Sequence, residues 1–92
     1  MIRKRVVVYG DVQGVYFRDT CRRNALAEGV CGWVRNRADR TVEAVFEGDT
    51  AGVNQLVEWA GQGPELAIVD VIRVYDEEPE GLSGFAILPT TG

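Results

Sequence analysis

The chain has 92 residues, 46% hydrophobic and 26% charged, with a formal charge of −4, two Cys and no His. That length predicts a single domain, 1–92, able to bury about two-thirds of its unfolded surface without metal or disulfide staples. The lack of His excludes imidazole bases, Ser-His-Asp triads and His-ligated metals, two Cys make no disulfide framework, and the acidic balance speaks against nucleic acid or an anionic membrane as partner.

The first strand is expected over Arg5 to Tyr9, rich in β-branched residues and closed by Gly10. The apolar run within it is too short for a secretory h-region, and no stretch reaches the roughly 18 apolar residues of a membrane span. A soluble, cytoplasmic protein with reduced thiols is the expectation. A short turn, Asp11-Val12-Gln13-Gly14, leads into a helix over about Val15 to Glu28, stopped by Gly29. Phe17, Cys21 and Ala25 repeat at i, i+4, i+8, although Glu28 falls on the same side and Leu26 opposite. Strand two is expected over Cys31 to Asn36 and strand three over Thr41 to Glu47, joined by a hairpin through Arg37-Ala38-Asp39-Arg40. In strand three Val42, Ala44 and Phe46 alternate with Glu43, Val45 and Glu47, which predicts one buried and one wet face. A second helix carries Val53, Leu56, Val57 and Ala60, capped by Asp49 or Thr50 and ended by Gly61-Gln62-Gly63-Pro64. Strand four is expected over Ala67 to Tyr75, a solvated acidic loop over residues 76–81, and a short fifth strand over Phe85 to Leu88. Residues 89–92 read as a frayed tail.

This order, β-α-β-β-α-β plus a fifth strand, predicts an α+β, ferredoxin-like two-layer sandwich with both helices on one face of a mainly antiparallel sheet. The charge is uneven along it. Residues 1–40 carry +5 and residues 41–92 carry −9. That asymmetry is either uneven solvated surface or a sign of an anion-handling face.

Two segments carry chemistry. In Gly10-Asp11-Val12-Gln13-Gly14-Val15-Tyr16-Phe17-Arg18 a strand enters a Gly-bracketed turn that opens a helix. Unpaired helix-start amides and the positive end of the helix dipole make such a turn a plausible anion cradle, with Arg18 able to reach back over the same amides. On spacing alone an ordinary βα turn followed by a surface Arg fits as well. Gly32-Trp33-Val34-Arg35-Asn36 is the second segment, and Asn before a turn is common on its own. Cys31 to Arg37 also fits C-x5-R, but a strand follows the Cys where a thiolate-activating helix would be required. A basic RNA-binding face is opposed by the acidic second half and by the lack of an aromatic RNA-recognition strand.

Taken together, the two segments resemble the acylphosphatase family, whose members carry G-x-V-Q-G-V-x-F-R and a second motif beginning G-W-V-[KR]-N. Val42 with Gly48, Gly63-Pro64 and Phe85-Ala86-Ile87 extend the likeness from about residue 5 to residue 88. The resemblance implies hydrolysis of acyl phosphates to carboxylate and phosphate by in-line attack of water, with no metal and no cofactor. It implies Arg18 and Asn36 as catalytic residues, and the backbone amides of Gln13, Gly14, Val15, Tyr16, Phe17 and Arg18 as the phosphate cradle. The implied partners are a small acyl phosphate substrate and inorganic phosphate as product and inhibitor; the charge balance speaks against nucleic acid or membrane, and the lack of an extra interface element predicts a monomer. A non-catalytic phosphate-binding module is the competing reading. Arg40 stands where the family pattern has Gly, so a positive φ there would carry strain. Tyr16 fills a variable motif position, where packing is expected rather than lining the mouth of the cradle.

Overall fold

Seven elements follow one another: β1 (Ile2–Asp11), α1 (Phe17–Ala27), β2 (Cys31–Asn36), β3 (Val42–Gly48), α2 (Thr50–Ala60), β4 (Ile68–Glu77) and β5 (Phe85–Ile87). The structure is a computed structural model and describes residues 1–91. The strands form one sheet in the order β4-β1-β3-β2-β5. β1 pairs antiparallel with β3 and β4, β2 pairs antiparallel with β3, and β5 lies parallel to β2. The expected two-layer, ferredoxin-like sandwich is the observed one. Among the described residues no helix is long and apolar enough to cross a membrane.

The register explains the core. Val6 faces Ala44, Val8 faces Val42 and Val34 faces Ala44, so these side chains share one face of the sheet. Phe17, Cys21 and Ala25 of α1 and Val53, Leu56 and Ala60 of α2 close over that face, and all are buried. Phe17 meets Trp59 with ring centroids 5.0 Å apart, which ties the two helices together. Each fully buried Val, Leu or Phe contributes about 1.5–3 kcal/mol relative to exposure. Burial also pushes the Cys21 thiol well above its usual range, so this sulfur is packing material rather than a nucleophile.

Four expectations need correction. Strand β1 starts earlier, at Ile2, because Arg3 and Arg5 are paired with acids across the sheet rather than solvated. It also runs on through Gly10, where β4 passes so close that a Cβ would strike the Ile68 carbonyl. Helix α1 is shorter than the periodicity predicts, running from Phe17 to Ala27. Glu28 is therefore a C-cap residue and does not interrupt the apolar stripe. The wet face expected for β3 is buried throughout Val42–Gly48. Arg35 lies over Glu43 at 2.8 Å, Arg5 reaches the same carboxylate at 3.3 Å, and Arg3 covers Glu47. A central strand flanked by arginines on both neighbours is roofed by their aliphatic stems. Finally, the tail is tied as far as Thr91, whose N–H donates to Asn36 C=O at 3.2 Å and whose C=O accepts from Ala38 N–H at 2.7 Å. Gly92 lies outside the described residues.

Candidate active site

Both β1 and β2 are antiparallel to β3, which lies between them, so they run in the same direction and end at the same edge of the sheet. β5, parallel to β2, ends there too. The turn after β1, Asn36 at the end of β2 and Ile87 at the end of β5 are thereby brought together from three distant parts of the chain. A cleft of about 420 Å³ opens between them, lined by Val12, Gly14, Tyr16, Phe17, Arg18, Asp19, Asn36 and Ile87.

The turn is built for unpaired amides. Gly14 (φ 75) and Tyr16 (φ 63) both sit in the left-handed region, with Val15 between them. Left-handed residues in a tight turn swing successive N–H groups toward one concavity. The first backbone bond of the helix runs from Thr20 N–H to Tyr16 C=O at 3.1 Å. Among the described residues no backbone carbonyl takes the amides of residues 13–19, and no side chain caps the helix. The start of the helix, with its positive dipole end, lies where Gly14, Tyr16, Phe17 and Arg18 line the cleft.

Arg18 lies one residue into α1 and half-buried beside these amides. Its neighbour Asp19 is held by Arg23 at 2.9 Å, one turn on, and Arg18 makes no ion pair among the described residues. A guanidinium left unpaired beside a row of free N–H groups is suited to a tetrahedral oxyanion. Asn36 faces it from β2. Its backbone is pinned by β3 on one side and Thr91 on the other, while its side-chain Oδ1 is buried with no hydrogen-bond partner.

The sequence-predicted residues divide here. Gly14, Tyr16, Phe17, Arg18 and Asn36 all line the cleft. Val15 packs against the core, and the Gln13 side chain turns away toward the β2–β3 hairpin. Tyr16 is the correction: its ring is 71% exposed at the cleft mouth, not packed. Its left-handed backbone, placed just before the helix, aims the side chain outward. Asp19 and Ile87 are cleft residues that sequence reasoning missed; Asp19 stood in the helix start as an ordinary acid, and Ile87 belonged to a motif read only for its fold. In the hairpin, the Thr41 hydroxyl and backbone N–H hold the Asp39 carboxyl below its ordinary range, with bonds of 2.6 and 3.1 Å. Arg40 has φ 76.

The acylphosphatase family model matches residues 4–87. The chain belongs to the acylphosphatase family. An acylphosphatase of Gloeobacter violaceus is 53% identical over 87 residues, which span 95% of this chain and 94% of that one. Another, from Pelotomaculum thermopropionicum, is 55% identical over 92% and 94% of the two chains. The crystal structure of acylphosphatase from Bacillus subtilis aligns with a TM-score of 0.92 at 35% identity, covering 96% of this chain and 99% of its own. Hydrolysis of acyl phosphates is accordingly the activity of this enzyme. Relatives of this closeness do not favour a non-catalytic binding module.

Proposed function

We propose that Arg18 and the amides of Gln13 to Arg18 hold the phosphoryl group, and that Asn36 orients the water that attacks it. The observation that carries this reading is that Asn36 and the unpaired Arg18, from distant parts of the chain, line one cleft. A primary amide in the cleft can hydrogen-bond a water and turn the water's lone pair toward phosphorus. The new P–O bond forms as the bond to the acyl oxygen breaks, and the electron pair leaves with the carboxylate. The proton released by the water passes to a phosphate oxygen.

Such a reaction asks the protein mainly for positioning and for stabilisation of charge on the equatorial oxygens. A carboxylate leaves readily, so no strong general acid is required and the lack of His is no obstacle. The reading is of a mechanism that uses no metal and no cofactor. Inorganic phosphate, the product, has the same oxygens and occupies the same cradle as an inhibitor. The remaining features of the reading are a single-domain monomer working in the cytoplasm on a small-molecule substrate, without nucleic acid or membrane.

Benzoyl phosphate hydrolysis in the presence of a chelator tests it. Arg18→Ala is expected to lose roughly 10²–10³ in kcat, the scale of one lost oxyanion donor, together with phosphate inhibition. Asn36→Ala is expected to lose turnover while phosphate still inhibits. Turnover of Asn36→Ala at the parent rate overturns the water-orienting role, and activity abolished by the chelator overturns the metal-free mechanism.

A further inference from the structure

We propose that the side chain of Gln13 is a positioning residue that sets the place of Asn36 relative to the phosphate cradle. The inference rests on the reading of Asn36 above and adds a role for a side chain that does not enter the cleft.

Gln13 sits in the turn after β1, and its Nε2 donates to two carbonyls of the facing hairpin: Arg37 C=O at 2.8 Å and Thr41 C=O at 3.0 Å. Both partners are acceptors only, which fixes the nitrogen, and not the oxygen, as the atom that faces them. The two carbonyls are the closing pair of the hairpin, since Arg37 N–H also donates to Thr41 C=O at 2.9 Å. One amide therefore straddles the hairpin neck, one residue past Asn36. Beyond the neck Ala38, Asp39 and Arg40 are exposed, and Arg40 is held at positive φ. Thr91 secures the opposite side of β2. Among the described residues Gln13 is the side-chain tie between the segment that would hold phosphate and the segment that would hold water.

The chemistry makes this distance matter. In-line attack requires the water oxygen within about 3–3.5 Å of phosphorus and opposite the leaving oxygen, and displacement by about 1 Å costs on the order of 10²-fold in rate. Both hydrogens of a primary amide are needed to hold both carbonyls. Met fills the same space with no donor, Glu sets a carboxylate against two carbonyl oxygens, and Asn is one methylene too short to reach both.

Gln13→Met is expected to lower kcat for benzoyl phosphate by roughly 10- to 100-fold. The inhibition constant for inorganic phosphate stays at the parent value, because every cradle amide and Arg18 remain. Gln13→Asn falls between, and it decides the matter if thermal melting shows Gln13→Met unfolded. In an Asn36→Ala background, Gln13→Met lowers kcat no further, since the group it positions is gone. Three results overturn the proposal: a folded Gln13 variant at the parent kcat, an equal loss with and without Asn36, or loss of phosphate inhibition in step with kcat. If Asn36→Ala itself turns over at the parent rate, the reading of Asn36 fails first. If Asn36→Ala is inactive and Gln13→Met is silent, only the positioning role fails.

Discussion

Tyr16 and Arg40 hold backbone angles that L side chains avoid, φ 63 and φ 76, and they stand on the two segments that flank the cleft. The left-handed region costs a non-Gly residue roughly 1–2 kcal/mol, because Cβ crowds the following carbonyl. At Tyr16 the conformation does something: just before the helix, it leaves the side chain exposed at the cleft. At Arg40 no contact requires an Arg, and the hairpin is held by other bonds, those of Gln13 and the Asp39–Thr41 pair. Arg40→Gly should therefore relieve strain without changing the turn. The expected outcome is a gain of about 1 kcal/mol, or some 4–8 °C in Tm for a domain of this size, with kcat unchanged. A Tm at or below that of the parent would show that the position stores no strain. The family motif flagged Arg40 from the sequence, because it named the one position where Gly was missing. Nothing local flagged Tyr16 or the side chain of Gln13. The Gln13 side chain is placed by carbonyls 24 and 28 positions away, and neither periodicity nor propensity reads over that range.

At the scale of elements, β3 shows where pattern reading stops. Alternation of Val42, Ala44 and Phe46 placed the core face correctly, but acids opposite an apolar face look the same whether water or arginine covers them. Here Glu47 is 1% exposed. Burial pushes its carboxyl up, yet the amide N–H groups of Glu80 and Leu82, both at 2.6 Å, and the Arg3 guanidinium hold it below its ordinary value. The carboxylate thus pins the loop between β4 and β5 to the centre of the sheet, and β5 in turn carries Ile87 into the cleft. Glu47→Gln keeps the shape but leaves one amide facing a donor. Hydrogen bonds to a charged acceptor are worth about 1.5–3 kcal/mol, and a loss on that scale is expected in urea unfolding. Faster hydrogen exchange at Glu80 and Leu82 should accompany it. Stability equal to the parent would mean that the loop is held by other contacts. The start of α1 has a similar lesson. Apolar spacing set the helix within two residues, but its true N-terminus follows from one left-handed residue that carries no sequence signature in a Tyr.

Across the whole molecule, topology was legible because each helix and strand carried its own period and the hairpin order left few arrangements. The meaning of the charge asymmetry was not. Read along the chain, +5 against −9 hinted at an anion-handling face. In the fold most of it is consumed internally: Arg3, Lys4, Arg5 and Arg35 of the first half pair with Glu43, Glu47, Asp76, Glu77 and Glu80 of the second. The asymmetry is mainly the imprint of one basic strand, β1, laid between two acidic ones. Arg18 stands outside this network. The network predicts the response to acid. Hydrogen bonds from Arg3 and Arg5 hold the Glu77 carboxyl below its ordinary value against an opposing burial effect, and Glu47 is lowered as above. Both groups bind a proton more readily in the unfolded chain than in the folded one. Stability therefore rises with pH across their titration: it is fully present above about pH 5 and is lost as pH falls through the lowered folded values. Thermal unfolding from pH 7 to pH 3 should show a flat Tm down to about pH 5 and a steep fall below it. Glu77→Gln should start from a lower Tm and fall less steeply, because one of the groups that must be protonated has been removed. An identical slope in parent and variant would show that Glu77 does not couple folding to acid, and would assign the acid sensitivity to Glu47 and the remaining carboxylates.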